Sequence, residues 1–177
     1  MERVIVTVLG AGLLCGAAGE ARSAPVGQGR AEDGTFAAAL TGREAGLGQT
    51  THRGRVVASF VEGAGGVDRL AYDIGLSEGT QVTYVTLQCA PAGSFGPVIA
   101  VLTEAKGWVR GRHQLRRRGA IGNAAVVPTT VTATCPVPIR SLADVRAAAL
   151  RRAVYVSVYA YAYPAGEMRG QLKPKRR

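Results

Sequence analysis

Chemistry in this chain would have to come from few residues: two histidines, three cysteines, a handful of carboxylates and many arginines. His52 sits in "TTHRG" and His113 in a basic stretch. A zinc or copper centre takes three or four nitrogen or sulfur ligands at close spacing. Two separated histidines and no C-x-x-C fall short of that, so we expect no metal and no cofactor. "GSFG" (93–96) is not a nucleophile elbow, because Ala92 stands where the first glycine of G-x-S-x-G belongs. Glu167 and Arg169 in "GEMRGQL" are two residues apart and project to one face of a strand. A single carboxylate there makes no acid/base pair. Orienting the last hairpin is the plainer role for the two charges, and ligand binding the other. With no catalytic set visible, the expected class is non-enzymatic.

Binding chemistry has more material. "KGWVRGRHQLRRRG" (106–119) holds Trp108, Arg116, Arg117 and Arg118 among six basic residues. No acidic residue lies between Glu104 and Asp144. Such a stretch suits an anionic surface: an acidic glycan, phospholipid headgroups or nucleic acid. A solvated loop or a charged edge strand is the plainer alternative. The second candidate surface is aromatic. Tyr155, Tyr159, Tyr161 and Tyr163 alternate along one face of "VYVSVYAYAY". Tyr159 and Tyr161 are the two singled out for binding. Exposed, these rings would stack a sugar or a protein partner; equally, they could pack under a helix or another sheet.

Address follows from the first residues. Arg3 precedes an apolar run from Val4 to Ala18, then small residues with Gly19 and Ala21 at −3 and −1. That is the layout of a secretory signal peptide, residues 1–21, with Ala18 or Ala24 as other cleavage points. The run is about 15 residues, short of the roughly 20 that span a membrane. Two other readings of the segment are open. "GAGLLC" imitates a dinucleotide loop with Cys15 in place of its third glycine, and "GLLC" imitates a lipoprotein signal with bulky Leu14 before Cys15. Export to periplasm or medium makes DNA a poor biological partner. It also makes Cys89 and Cys135 a candidate disulfide, closing a loop that chain-entropy arguments value at about 4 kcal/mol. Two separate buried thiols are the alternative.

The formal net charge is +10, and 47% of residues are apolar but only 6% aromatic. The core must therefore be built from small aliphatic side chains. Residues 22–34 read as a flexible leader, 35–172 as one domain and 173–177 as a basic tail. Short alternating runs dominate: Phe36, Ala38 and Leu40; Val56, Ala58 and Phe60; Leu70, Tyr72 and Ile74; Val85, Leu87 and Cys89. "GPVIAVL" (96–102) reads as a central strand. "AAVVPTTVTATC" (124–135) is β-branched with a break at Pro128. "SLADVRAAALRR" (141–152) is a helix, with Ser141 and Asp144 placed as a capping box. "PAG" (164–166) turns the last hairpin. The sum is an all-β fold, an antiparallel sandwich or barrel of immunoglobulin-like or superoxide dismutase-like architecture, with one short helix before the C-terminal hairpin.

The order of these motifs resembles the chordin (CHRD) domain family. "FAAALTGRE" (36–44) is similar to its opening strand with L-S-G-x-x-E, and "LAYDIGL" (70–76) to L-x-Y-x-L-x-x-G-L. "CAPAGSFGPVIAVL" (89–102) resembles C-G-P-A-G-x-x-G-P-V-v-x-L, which places Gly96 and Pro97 in a structural motif. "YVSVYAYAYPAGEMRGQL" (155–172) resembles YVNVHT…P-x-G-E-I-R-G-Q-L, and does the same for Gly166, Glu167, Arg169 and Gly170. The resemblance implies an extracytoplasmic β module, in some members part of secreted growth-factor antagonists, with no implied enzymatic activity. The expected partner is a protein or an anionic glycan. A cell-envelope structural role, through the basic face, is the alternative, and a metal-dependent enzyme is a remoter one. The chain departs from the pattern where the family carries A-H-I-H and a histidine after YVNV: Thr86, Gln88 and Tyr159 stand at those histidine positions.

Overall fold

The computed structural model describes residues 34–46, 50–77, 79–110 and 114–175. The signal peptide expected at 1–21, nearly all of the leader, and His113 lie outside the described residues. Ten strands and one α-helix follow one another: β1 (Thr35–Thr41), β2 (Arg53–Gly63), β3 (Gly66–Ser77), β4 (Val82–Cys89), β5 (Val98–Glu104), β6 (Val109–Arg110), β7 (Gln114–Gly122), α1 (Leu142–Leu150), β8 (Val154–Ala160), β9 (Tyr163–Gln171) and β10 (Lys173–Pro174). All pairings are antiparallel, in one curled sheet of order β5-β4-β8-β9-β1-β2-β3-β7-β6, with β10 beside β1. The all-β antiparallel expectation is met by a half-barrel with one helix before the last strands.

The alternation read from the sequence sets the inner face. Phe36 and Leu40 of β1, Val56 and Ala58 of β2, Leu70 and Ile74 of β3, and Val85 and Leu87 of β4 are fully buried. Phe36 and Phe60 meet edge to face at 5.5 Å between centroids. The helix starts where expected. Ser141 accepts from the Asp144 backbone N–H, and the Asp144 carboxylate accepts from the Ser141 N–H, satisfying two otherwise orphaned donors. Leu142, Val145, Ala148 and Ala149 are its buried residues, and the helix packs against β3, β8 and β10. Arg152 ends this segment in the left-handed region (φ 57°), uncommon for a residue with a Cβ.

Four expectations change. "GPVIAVL" forms β5 at one end of the sheet, with Val98 and Val101 partly exposed. Its outer edge is capped only locally, where Val127 N–H donates to the Ile99 carbonyl and Val126 bridges Ala100. Residues 124–135 build no strand. Pro128 removes a ladder donor there, Pro136 and Pro138 follow directly, and two isolated bridges, Val126 with Ala100 and Thr129 with Ile139, are what form. The last hairpin turns at Tyr161–Ala162 rather than at "PAG". Pro164–Glu167 instead make a wide bulge opposite Tyr159, between the pairs Ala160–Tyr163 and Val158–Met168, with Gly166 at φ 112°. The basic tail begins as β10, pairing Lys173 with Ala37.

Cys89 and Cys135 are joined in a disulfide, Cα–Cα 5.1 Å. It ties the irregular segment after β7 to the end of β4. The Tyr72 hydroxyl donates to the Leu102 carbonyl at 2.6 Å, linking β3 to β5. The neighbouring β7 leaves room for that ring because residue 119 is glycine: a Cβ there would lie 2.3 Å from the Tyr72 oxygen.

Candidate functional site

Three surfaces carry the candidate residues: the arginine run, the aromatic residues, and the GEMRGQL motif.

The arginine run is β7, and strand alternation splits it. Asp73 of β3 lies directly opposite Arg118, and Arg116 is its diagonal neighbour. Arg116 grips Asp73 with Nε at 2.8 Å from Oδ1 and Nη2 on Oδ2; Arg118 Nε lies 3.1 Å from Oδ2. The hydrogen bonds from Arg116, supported by Arg118 and opposed by burial, hold the Asp73 carboxyl down at about 2. Arg117 faces the other way and donates from Nη1 to the Gly107 carbonyl at 2.8 Å. Two of the three arginines thus share a carboxylate, and the third supports the β5–β6 turn. Because the folded carboxyl titrates below its unfolded value, its stabilisation is complete above roughly pH 4 and disappears as pH falls towards 2. Partial exposure discounts it to about 1 kcal/mol. Asp73→Asn should therefore remove that acid-sensitive increment. Urea unfolding from pH 6 to 2.5 checks it: the gap between wild type and variant narrows as the pH drops.

Trp108 and Tyr161, distant in sequence, come together. They line one cleft of about 490 Å³ with Val82, Arg110 and Leu115. The β5–β6 turn presents Trp108, whose indole N–H donates to the Glu104 carbonyl at 3.1 Å, and whose ring packs partly on the core. Tyr161 sits at the tip of the β8–β9 turn, 82% exposed. Arg110 makes no ion pair among the described residues. The volume is within the range of small-ligand sites, roughly 300–1,000 Å³.

Tyr159 goes elsewhere. Gln88 of β4 donates from Nε2 to Tyr159 and to the Thr86 hydroxyl at 3.2 Å, while its Oε1 accepts from Tyr155. The three positions where the family pattern expects histidine, Thr86, Gln88 and Tyr159, are therefore joined in a single hydrogen-bond network. It is an amide and hydroxyl set, with no imidazole to offer a metal. Tyr155 is completely buried; burial pushes its hydroxyl pKa up, against the pull of the Gly96 backbone N–H (3.1 Å) and of Arg169. Gly96 has to be glycine, since a Cβ would lie 1.9 Å from the Cys89 carbonyl oxygen. The Pro97 carbonyl accepts from the Cys89 N–H at 3.0 Å.

The GEMRGQL motif lies alongside. Glu167 is 1% exposed; its Oε1 accepts from Thr50 at 3.2 Å and contacts His52 Nδ1. Glu167 and Arg169 do not pair with each other. Arg169 lies with its guanidinium carbon 4.2 Å over the Tyr155 ring centre and 4.8 Å over Phe95. Gln171 uses one amide nitrogen to hold the Ala90, Arg152 and Val154 carbonyls, at 3.3, 2.6 and 2.9 Å. Sequence reasoning missed the roles of Phe95, Thr50, Gln171 and Arg110. The only signal for them was position, next to motif residues in the chain. Among the described residues no group of histidine, cysteine and carboxylate side chains could hold a metal, and no helix is long and apolar enough to cross a membrane.

A curled antiparallel sheet, stapled by a disulfide and backed by one capped helix, is a β module of the extracellular type. The CHRD domain model matches residues 36–172, nearly the whole described chain, and the protein belongs to the CHRD domain family. No curated protein and no solved structure matches the chain.

Proposed function

We propose that the protein is a secreted, non-enzymatic interaction module that holds an anionic glycan in the cleft between Trp108 and Tyr161. The observation that carries this reading is the convergence of Trp108, Tyr161 and Arg110 on one cleft. Sugar rings stack on aromatic faces, and an unpaired guanidinium supplies the contact to a sulfate or carboxylate. Export is supported by the disulfide, by the family, and by the apolar run after Arg3.

The salt-bridged state of Arg116 and Arg118 argues against the run itself as an open anion patch. A glycan array with purified protein tests the reading. Binding to sulfated or uronate-containing glycans should fall about tenfold or more in Trp108→Ala and in Tyr161→Ala, and should weaken with salt. Equal signals from neutral and acidic glycans, or binding unchanged in both variants, would overturn it. So would capture of a protein partner whose binding survives both substitutions.

A further inference from the structure

A second pocket, of about 460 Å³, opens beside the GEMRGQL motif and shares no residue with the Trp108 cleft. Arg169 and Gln171 of β9 line it, together with Arg43 and Glu44 from the turn after β1 and with Ala92 and Gly93 from the β4–β5 loop. Arg169 is 4% exposed, and its Nη1 is buried with no hydrogen-bond partner. No carboxylate lies within ion-pair distance of it among the described residues. Glu44, the one acid in the lining, is exposed at the rim, where its backbone N–H donates to the Thr41 hydroxyl.

An arginine stays protonated at any ordinary pH, and a buried charge without a counter-charge is expensive. Stacking on Tyr155 and Phe95 offsets part of that cost. The rings satisfy none of the guanidinium N–H donors in the usual sense. An oxyanion would satisfy them, and a planar carboxylate matches the guanidinium fork. Glu167, two residues before it on β9, engages Thr50 and His52 through Oε1; its Oε2 is buried without a partner and lies beyond ion-pair distance of Arg169. Arg43 at the rim adds a second positive charge, and the pocket is large enough for a ring-sized molecule rather than a bare ion.

We infer that this pocket is a carboxylate-binding site, with Arg169 as its buried anchor and Arg43 as its outer charge. It is independent of the glycan reading of the Trp108 cleft.

The test is NMR titration of the full, disulfide-bonded protein with sodium glucuronate, sodium acetate and glucose. Glucuronate should shift the amides of Arg43, Glu44, Ala92 and Gly93; a shift of the Trp108 indole reports the other cleft and is followed separately. Acetate binding as tightly as glucuronate would identify the carboxylate alone as the ligand chemistry, and tighter glucuronate binding would add the sugar ring. Both outcomes support the site. Glucose should do nothing. Arg169→Lys should weaken glucuronate about tenfold, and Arg43→Gln, an exposed change that leaves the core untouched, should weaken it a few-fold. Glucose matching glucuronate, an absence of shifts around Gly93 with both carboxylates, or shifts confined to the Trp108 cleft would each overturn the inference. These readouts need only the wild-type protein, so they stand even where Arg169→Lys does not fold.

Discussion

Cys89→Ala with Cys135→Ala should lower the unfolding free energy by about 4 kcal/mol. The bridge spans 46 residues of sequence, and the chain-entropy relation for a loop of that size gives this figure. The segment it anchors has little else to hold it. Between the end of β7 and the start of α1 the backbone forms two isolated bridges and a few turn hydrogen bonds. Val126, Cys135, Val137 and Ile139 are nonetheless buried, and Val126 and Val127 cap the open edge of β5. Without the bond, this flap pays the full entropy of ordering. For a domain of this size the loss corresponds to a fall in Tm of roughly 10–15 °C. Thermal unfolding of the double variant, and of wild type with and without reductant, checks it. A double variant within 1 kcal/mol of wild type would mean the flap is held by its apolar contacts alone.

Gly170→Ala is expected to destabilise by about 3 kcal/mol or more, the upper end of what overpacking does. A Cβ at Gly170 would lie 2.1 Å from the Ala39 carbonyl oxygen and 2.8 Å from its carbon. Both are backbone atoms, so no rotamer change relieves the clash. β9 would have to draw back from β1 at the pair Thr41–Arg169, the junction that joins one half of the sheet to the other. Gly65→Ala is the control: nothing lies within 4 Å of a Cβ there, and its effect should stay within about 0.5 kcal/mol. Urea denaturation of the two variants side by side decides the matter, and comparable stabilities would show that the sheet yields at this junction without penalty.

Much of the inner face was legible because one residue in two is apolar along β1 to β4. Val56, Ala58 and Phe60 alternate in the sequence and are buried in the structure. The outer face of β4, β8 and β9 was not. Thr86, Gln88, Ser157 and Gln171 are polar residues on the face away from the core, yet all are buried. The cover comes from segments remote in sequence: the β4–β5 loop brings Phe95 and Gly96, and the residues before β2 bring Thr50 and His52. Periodicity reports how a strand faces its own core and is silent about what a loop lays over its back. β7 was left between a loop and a charged edge strand for a related reason. Only Leu115 of that strand is buried, so three arginines in a row showed no period of two. The hairpin turn was misplaced because Pro-Ala-Gly suits a bulge as well as a turn, and Gly166 takes the positive φ within β9.

The candidate sites follow the same division. Trp108 and Tyr161 were recognisable one at a time from residue type, but their meeting depends on how far the sheet curls. Arg169 stood out as half of a charge pair, and the missing half became visible only when Glu167 was found committed to His52.

The link between Tyr72 and Leu102 leaves the half-barrel with a seam. Across most strand boundaries a ladder of backbone bonds resists separation, whereas between β5 at one end of the sheet and β7 near the other no ladder forms among the described residues, and the Tyr72 hydroxyl reaches past Gly119 of β7 to the Leu102 carbonyl of β5. The wall is continuous around most of the circumference and only buttoned along this line. Any breathing that widens the interior has its softest direction there, and residue 119, kept bare of a side chain so that the button can close, sets how tightly it shuts.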